Sequence, residues 1–178
     1  MFYLKEGTGC KVKTKWEIDK RARRLADESF FINIQDQLMM ELPIRKALGE
    51  ENPLDDYYAP RIRMGGLKAL AITVGGNDTC TCNLTDHVAI GALNLIDMIH
   101  QEVEKSNTFR ICETAQDLED CYKNEKIGLI FTSEGGRMLE ALPDEDDMSL
   151  VRTFYRLGLR QVGVVSPART RAADGPGD

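Results

Sequence analysis

Ile127-Gly128-Leu129-Ile130-Phe131-Thr132-Ser133-Glu134-Gly135-Gly136 decides the fold of this 178-residue chain. The first six residues are almost wholly apolar and β-prone. A strand with one face in water alternates apolar and polar residues. A continuous apolar run belongs to a strand buried on both faces, as in a parallel sheet covered by helices. The Ser133-Glu134-Gly135-Gly136 that follows reads as a tight turn, with a carboxylate at the C-terminal end of the strand and two glycines that let the backbone reverse.

Working outward, Thr114 starts a helix that runs through Leu118 and Cys121 to about Asn124, and Asp117 sits three residues on, a variant of the capping box. Asp86 to Lys105 is the clearest helix. Val88, Ala92, Leu93, Ile96, Ile99 and Val103 form one apolar stripe, and Thr85 or Asp86 is suited to cap the start. Leu67 to Val74 reads as another buried strand, introduced by Gly65-Gly66 and closed by a Gly75-Gly76-Asn77-Asp78 loop. Residues 41–64, interrupted by Pro43, Pro53 and Pro60, read as irregular. Phe30 to Ile34 is a short strand expected to be buried on both faces, and Trp16 to Glu28 a helix. Downstream, Ser149 to Leu157 is a helix stopped by Gly158, and Gln161 to Val165 a fourth strand.

Helices alternating with buried strands mean an α/β fold with parallel strands. Four strands make a partial (β/α) TIM-barrel-like sheet, since a closed barrel takes eight strands and about 250 residues. The organisation expected is a loose N-terminal arm over 1–15, a half-barrel domain over 16–165 and a flexible tail over 166–178.

Hydrophobic residues make up 42% of the chain and charged residues 29%, a globular balance, and the net charge is −6. That acidity argues against nucleic acid as a partner, because phosphate binding needs a basic surface. No stretch approaches the roughly 20 apolar residues of a membrane-spanning helix, and no apolar leader follows Met1, so the location expected is cytoplasmic. The basic stretch from Lys11 to Arg24 reads as a helix closing one end of the domain, and Asp144 to Asp147 is an acidic run. The five cysteines, Cys10, Cys80, Cys82, Cys112 and Cys121, are expected to be reduced thiols, with Cys112 and Cys121 as small core or near-surface residues.

The two histidines, His87 and His100, are thirteen residues apart on one helix, about 20 Å along its axis, and cannot share a compact site. Both read as surface or packing residues. Cys80-Thr81-Cys82 lacks enough neighbouring ligands for zinc, and Gly75-Gly76-Asn77 lacks the lysine and spacing of a phosphate loop.

Several blocks in order resemble the N-terminal half of the membrane (renal) dipeptidase family: Phe31 to Leu38, Pro60 to Leu67, Ile96 to His100, Thr114 to Leu118, Glu134-Gly135-Gly136 and Phe154 to Arg160. The family is one of binuclear zinc enzymes on a (β/α)₈ barrel that hydrolyse dipeptides. The resemblance implies that a His-x-Asp metal pair would fall on Gln35 and Gln37, that Glu134 matches the bridging carboxylate, that Arg137 stands where a histidine is usual, and that Ser166 matches a substrate-binding histidine. An amide oxygen is a poor zinc ligand beside imidazole or carboxylate. The chain is therefore expected to be a degenerate or partial member, inactive alone. The alternatives are a non-catalytic interaction module and one subunit of a split metallopeptidase. Four open strands would leave unpaired edges, so self-association or a partner chain is expected to cover them.

Overall fold

The computed structural model describes residues 19–76, 87–140, 148–166 and 169–176. The 1–15 arm, the residues before Asp19 in the expected first helix, Asn77-Asp78, Cys80-Thr81-Cys82, the caps Thr85 and Asp86, and the Asp144 to Asp147 run lie outside them. In chain order the elements are α1 (Lys20–Glu28), β1 (Ile32–Asp36), α2 (Leu38–Ala47), a π-helical turn (Leu54–Tyr58), α3 (Ala59–Met64), β2 (Ala69–Gly76) and α4 (Val88–Lys105). These are followed by β3 (Phe109–Ile111), α5 (Ala115–Lys123), β4 (Ile127–Glu134), a 3₁₀ turn (Arg137–Leu139), α6 (Met148–Arg156) and β5 (Leu159–Val162).

The five strands form one parallel sheet. β4 is its axis. One edge pairs with β2 from Ala69↔Gly128 to Gly76↔Glu134. Along the other edge β3 pairs with the first residues of β4 and β5 with the last. β1 lies outside β2, giving a central order β1-β2-β4-β5 with β3 as a short extra piece. The sheet is not closed.

The apolar runs behave as their composition dictates. All eight residues of β2 are buried, and Leu70, Ile72 and Val74 join Leu129, Phe131, Ile96, Ile99 and Phe154 in one core. β4 runs two residues further than the apolar run, through Glu134. The capping box is formed: Thr114 Oγ1 accepts from the Asp117 N–H at 3.1 Å, and Asp117 Oδ2 accepts from the Thr114 N–H at 3.0 Å. Gly158 ends α6 with φ +99°, a backbone state open to glycine at little penalty.

Three expectations are corrected. Residues 41–64 are mostly helical, not irregular. Pro43 sits inside α2, and Pro60 occupies the first turn of α3, where its missing N–H is no loss. At Pro43, tertiary packing outweighs propensity: the adjacent Leu42 is fully buried in the core. Phe30 to Ile34 is not buried on both faces, since β1 is an outermost strand and Ile34 is 71% exposed. A fifth strand, β3, is present. Its three residues are too few for any periodicity to announce them.

The Arg45 guanidinium lies 3.1 Å and the Arg61 guanidinium 3.4 Å from the Tyr57 ring centroid, a stack that joins α2 to α3. Burial pushes the neighbouring Tyr58 phenol up to about 12, against its hydrogen bond with Arg45.

Candidate strand-end site

β1, β2, β4 and β5 run in the same direction, so their C-terminal ends gather on one side of the sheet. Glu134 is the last residue of β4 and half-buried there. Its Oε2 accepts a hydrogen bond from the Gln37 Nε2 amide, just past β1. Its Oε1 accepts from the Ser166 hydroxyl, after β5, at 3.1 Å. Three positions 32 and 97 residues apart in sequence thus meet on one carboxylate. Gln35, two residues before Gln37, is exposed near the end of β1, and its main-chain N–H donates to Asn33 Oδ1 at 3.2 Å. Arg137 follows the glycine pair at the head of the 3₁₀ turn, half-buried, beside the buried Met138 and Leu139.

The backbone around Glu134 is built from close approaches. Gly76 lies opposite Glu134 in the β2/β4 register with φ +148°. A β-carbon on Gly76 would lie 1.9 Å from the Glu134 carbonyl oxygen, so only glycine fits. Gly163 is held by an N–H bond to the Ser133 carbonyl at 2.8 Å, and a β-carbon there would lie 3.0 Å from the Gly135 nitrogen. These contacts bring β2, β4 and the segment after β5 together beneath the carboxylate.

Sequence reasoning did not single out Gln161, whose Nε2 donates to the Ile34 carbonyl at 3.1 Å. This bond links β5 to β1, strands that do not pair with each other through their backbones. Buried Thr73 and Ser133, next to the site on β2 and β4, also carried no sequence signal. His87 and His100 are both exposed, and the His100 ring meets buried Phe131 edge-on at 5.7 Å between centroids. Beyond the site, Thr170 is buried and the Arg171 N–H donates to Glu140 Oε1 at 2.6 Å, seating residues 169–176 on the domain.

The chain is thus an α/β domain with an open parallel sheet and an acid at the C-terminal end of β4. Residues 19–178 match the profile of the family described as Membrane dipeptidase (Peptidase family M19), and the chain belongs to that family. Among solved structures it is similar to the probable dipeptidase PvdM from Pseudomonas aeruginosa, at 14% identity and TM-score 0.66 over 87% of this chain and 39% of that one. It is also similar to a metallo peptidase from Rhodobacter sphaeroides solved with a phosphinate mimic of the dipeptide L-Ala-D-Ala, at 17% identity and TM-score 0.58 over 79% of this chain and 46% of that one. An uncharacterized protein in the PQQ-III 3' region of Acinetobacter calcoaceticus is 34% identical over 71 residues, 40% of this chain and 21% of that protein. The chain thus spans less than half the length of each of these relatives. Among the described residues, no helix is long and apolar enough to cross a membrane.

Proposed function

We propose that this chain forms the first half of a dipeptidase-type barrel whose strand-end site no longer suits the zinc ions its family uses, and that it does not hydrolyse dipeptides by itself. The observation that carries this reading is the Gln37–Glu134–Ser166 group. Zinc takes imidazole, thiolate or carboxylate ligands. Here the two oxygens of the Glu134 carboxylate accept hydrogen bonds from a neutral amide and a neutral hydroxyl. Among the described residues, no three His, Cys, Asp or Glu side chains converge on a point that could hold an ion. Gln35, Gln37 and Ser166 offer amides and a hydroxyl where the family resemblance places imidazoles and a carboxylate, so these positions do not supply the ligand types of the family's metal pair. The chemistry left to Glu134 is that of a hydrogen-bond acceptor tying three strand ends together.

The test is metal content after dialysis against zinc. The wild-type chain is expected to retain none in stoichiometric amount. Gln35→His with Gln37→Asp, which restores the family's ligand types beside Glu134, is expected to gain zinc. Stoichiometric zinc on the wild-type chain that disappears in Glu134→Ala would overturn the reading and call for dipeptide hydrolysis assays.

A second reading, that the domain is a scaffold for association, is favoured by its outer strands. Ile34 on β1 is 71% exposed and Val164 just past β5 is 53% exposed, although both are β-branched residues of the kind strands bury. A second copy of the chain is the occupant proposed for these edges. Sedimentation is expected to show a dimer or larger species that dissociates on dilution. A concentration-independent monomer would rule the association out.

A further inference from the structure

Cys112 follows β3, and Cys121 lies in the last turn of α5. Both are 1% exposed, and their Sγ atoms face each other at 3.4 Å. The backbone holds each in place. The Cys112 N–H donates to the Leu129 carbonyl on β4 at 2.7 Å, and the Cys121 carbonyl accepts from the Lys126 N–H at 2.9 Å. Gly128 on β4 makes the room: a β-carbon there would lie 3.1 Å from Cys112 Sγ and 2.9 Å from Leu118. The pair thus packs where β4 carries a glycine in place of a side chain.

We propose that Cys112 and Cys121 are a dithiol that a low-molecular-weight disulfide such as oxidised glutathione converts to an intrachain disulfide between the end of β3 and α5. A disulfide has its sulfurs about 2.05 Å apart, so the two side chains together close roughly 1.4 Å. The step balances as thiol–disulfide exchange. One thiol loses its proton and attacks a sulfur of the reagent. A protein–glutathione disulfide forms, the reagent's own S–S bond breaks, and the first glutathione thiolate leaves and takes up a proton. The second cysteine, deprotonated in turn, attacks the protein sulfur of that mixed disulfide and expels the second glutathione as its thiol. The protein loses two electrons and two protons, and the reagent gains both.

Burial pushes the Cys112 thiol well above its usual range and disfavours the attacking thiolate. Exchange therefore proceeds through local opening of α5.

The tryptic peptide Ile111–Lys123 contains these two cysteines and no others, which makes the test direct. The native protein is incubated with oxidised glutathione, alkylated under denaturing conditions, digested and weighed. The expected result is a peptide lighter by two hydrogens, carrying neither alkyl group nor glutathione, and restored to a doubly alkylated form by dithiothreitol before alkylation. Cys112→Ser and, separately, Cys121→Ala are expected to leave the peptide with a single modification and no bridge. Two alkyl groups on the wild-type peptide after oxidation, or a glutathione that remains on one sulfur without closing, would overturn the proposal.

Discussion

Gly76→Ala is expected to destabilise the fold by about 3 kcal/mol or more, through backbone strain and steric overlap acting together. The added β-carbon would lie 1.9 Å from the Glu134 carbonyl oxygen and 2.3 Å from its carbonyl carbon. Both are backbone atoms inside the β2/β4 ladder, so no rotamer relieves the clash and the strands must part. Gly49 supplies the control. Its φ is +86°, but nothing lies within 4 Å of where its β-carbon would go. Gly49→Ala therefore carries only the strain of a left-handed backbone, roughly 1 kcal/mol. Urea unfolding of the two variants compares them. Equal losses would mean that strand separation at Glu134 contributes little to the penalty.

A large effect is also expected at Glu102, the buried acid of α4. Its side chain is 3% exposed and holds Lys46 at 3.0 Å and Lys105 at 2.9 Å. Burial alone would raise its pKa, but hydrogen bonds and charge from Lys105 and Lys46 outweigh burial and hold the carboxyl below its ordinary 4.5. Replacing both lysines, Lys46→Met with Lys105→Met, leaves a buried carboxylate without its cations and is expected to cost about 3 kcal/mol at neutral pH. The sign of the pH dependence follows. In the wild type the folded pKa is depressed, so the contribution of Glu102 is present above 4.5 and is lost as pH falls through the folded value. In the double variant, burial acts unopposed and the folded pKa rises, so acid favours folding there. The gap between the two proteins should begin to narrow above pH 4.5, where the variant's buried Glu102 takes up its proton, and go on narrowing as pH falls through the wild type's depressed value, read in urea melts. A gap independent of pH would show that the lysines act through packing of their stems. Adding Glu102→Leu to the double variant is expected to recover most of the loss, because a well-packed apolar group needs no counter-ion.

The parts of the fold legible in the sequence were those that bury one uniform face. The apolar runs of β2 and β4, the stripe of α4 and the Thr114–Asp117 cap each carry a local signal that tertiary packing reinforces. What the sequence concealed depended on neighbours. Pro43 and Pro60 read as breakers, yet one is carried by the packing of α2 and the other sits where a helix wants no donor. β3 is a strand only because β4 offers it an edge. The apolar Phe30 to Ile34 run looked interior, but β1 is paired on one side alone among the described residues. At the site, residue chemistry alone offered a tight turn with a carboxylate at a strand's C-terminal end. The resemblance to the dipeptidases singled out Gln37 and Ser166, which the fold brings onto the same carboxylate. Gln161 carried no signal, and Gly76 read as part of a closing loop although it is the last residue of β2, since the importance of both rests on which backbone they approach in space.

The Gln161–Ile34 bond has a geometric consequence. A hydrogen bond between the first and last strands of an open sheet sets its chord, the straight-line gap between the two free edges. In a closed barrel, strand number, tilt and stagger are linked, so a given gap admits only certain complements. Any chain or segment that adds strands at both edges at once must match that width. One glutamine side chain thus fixes how far β5 stands from β1 in the isolated chain.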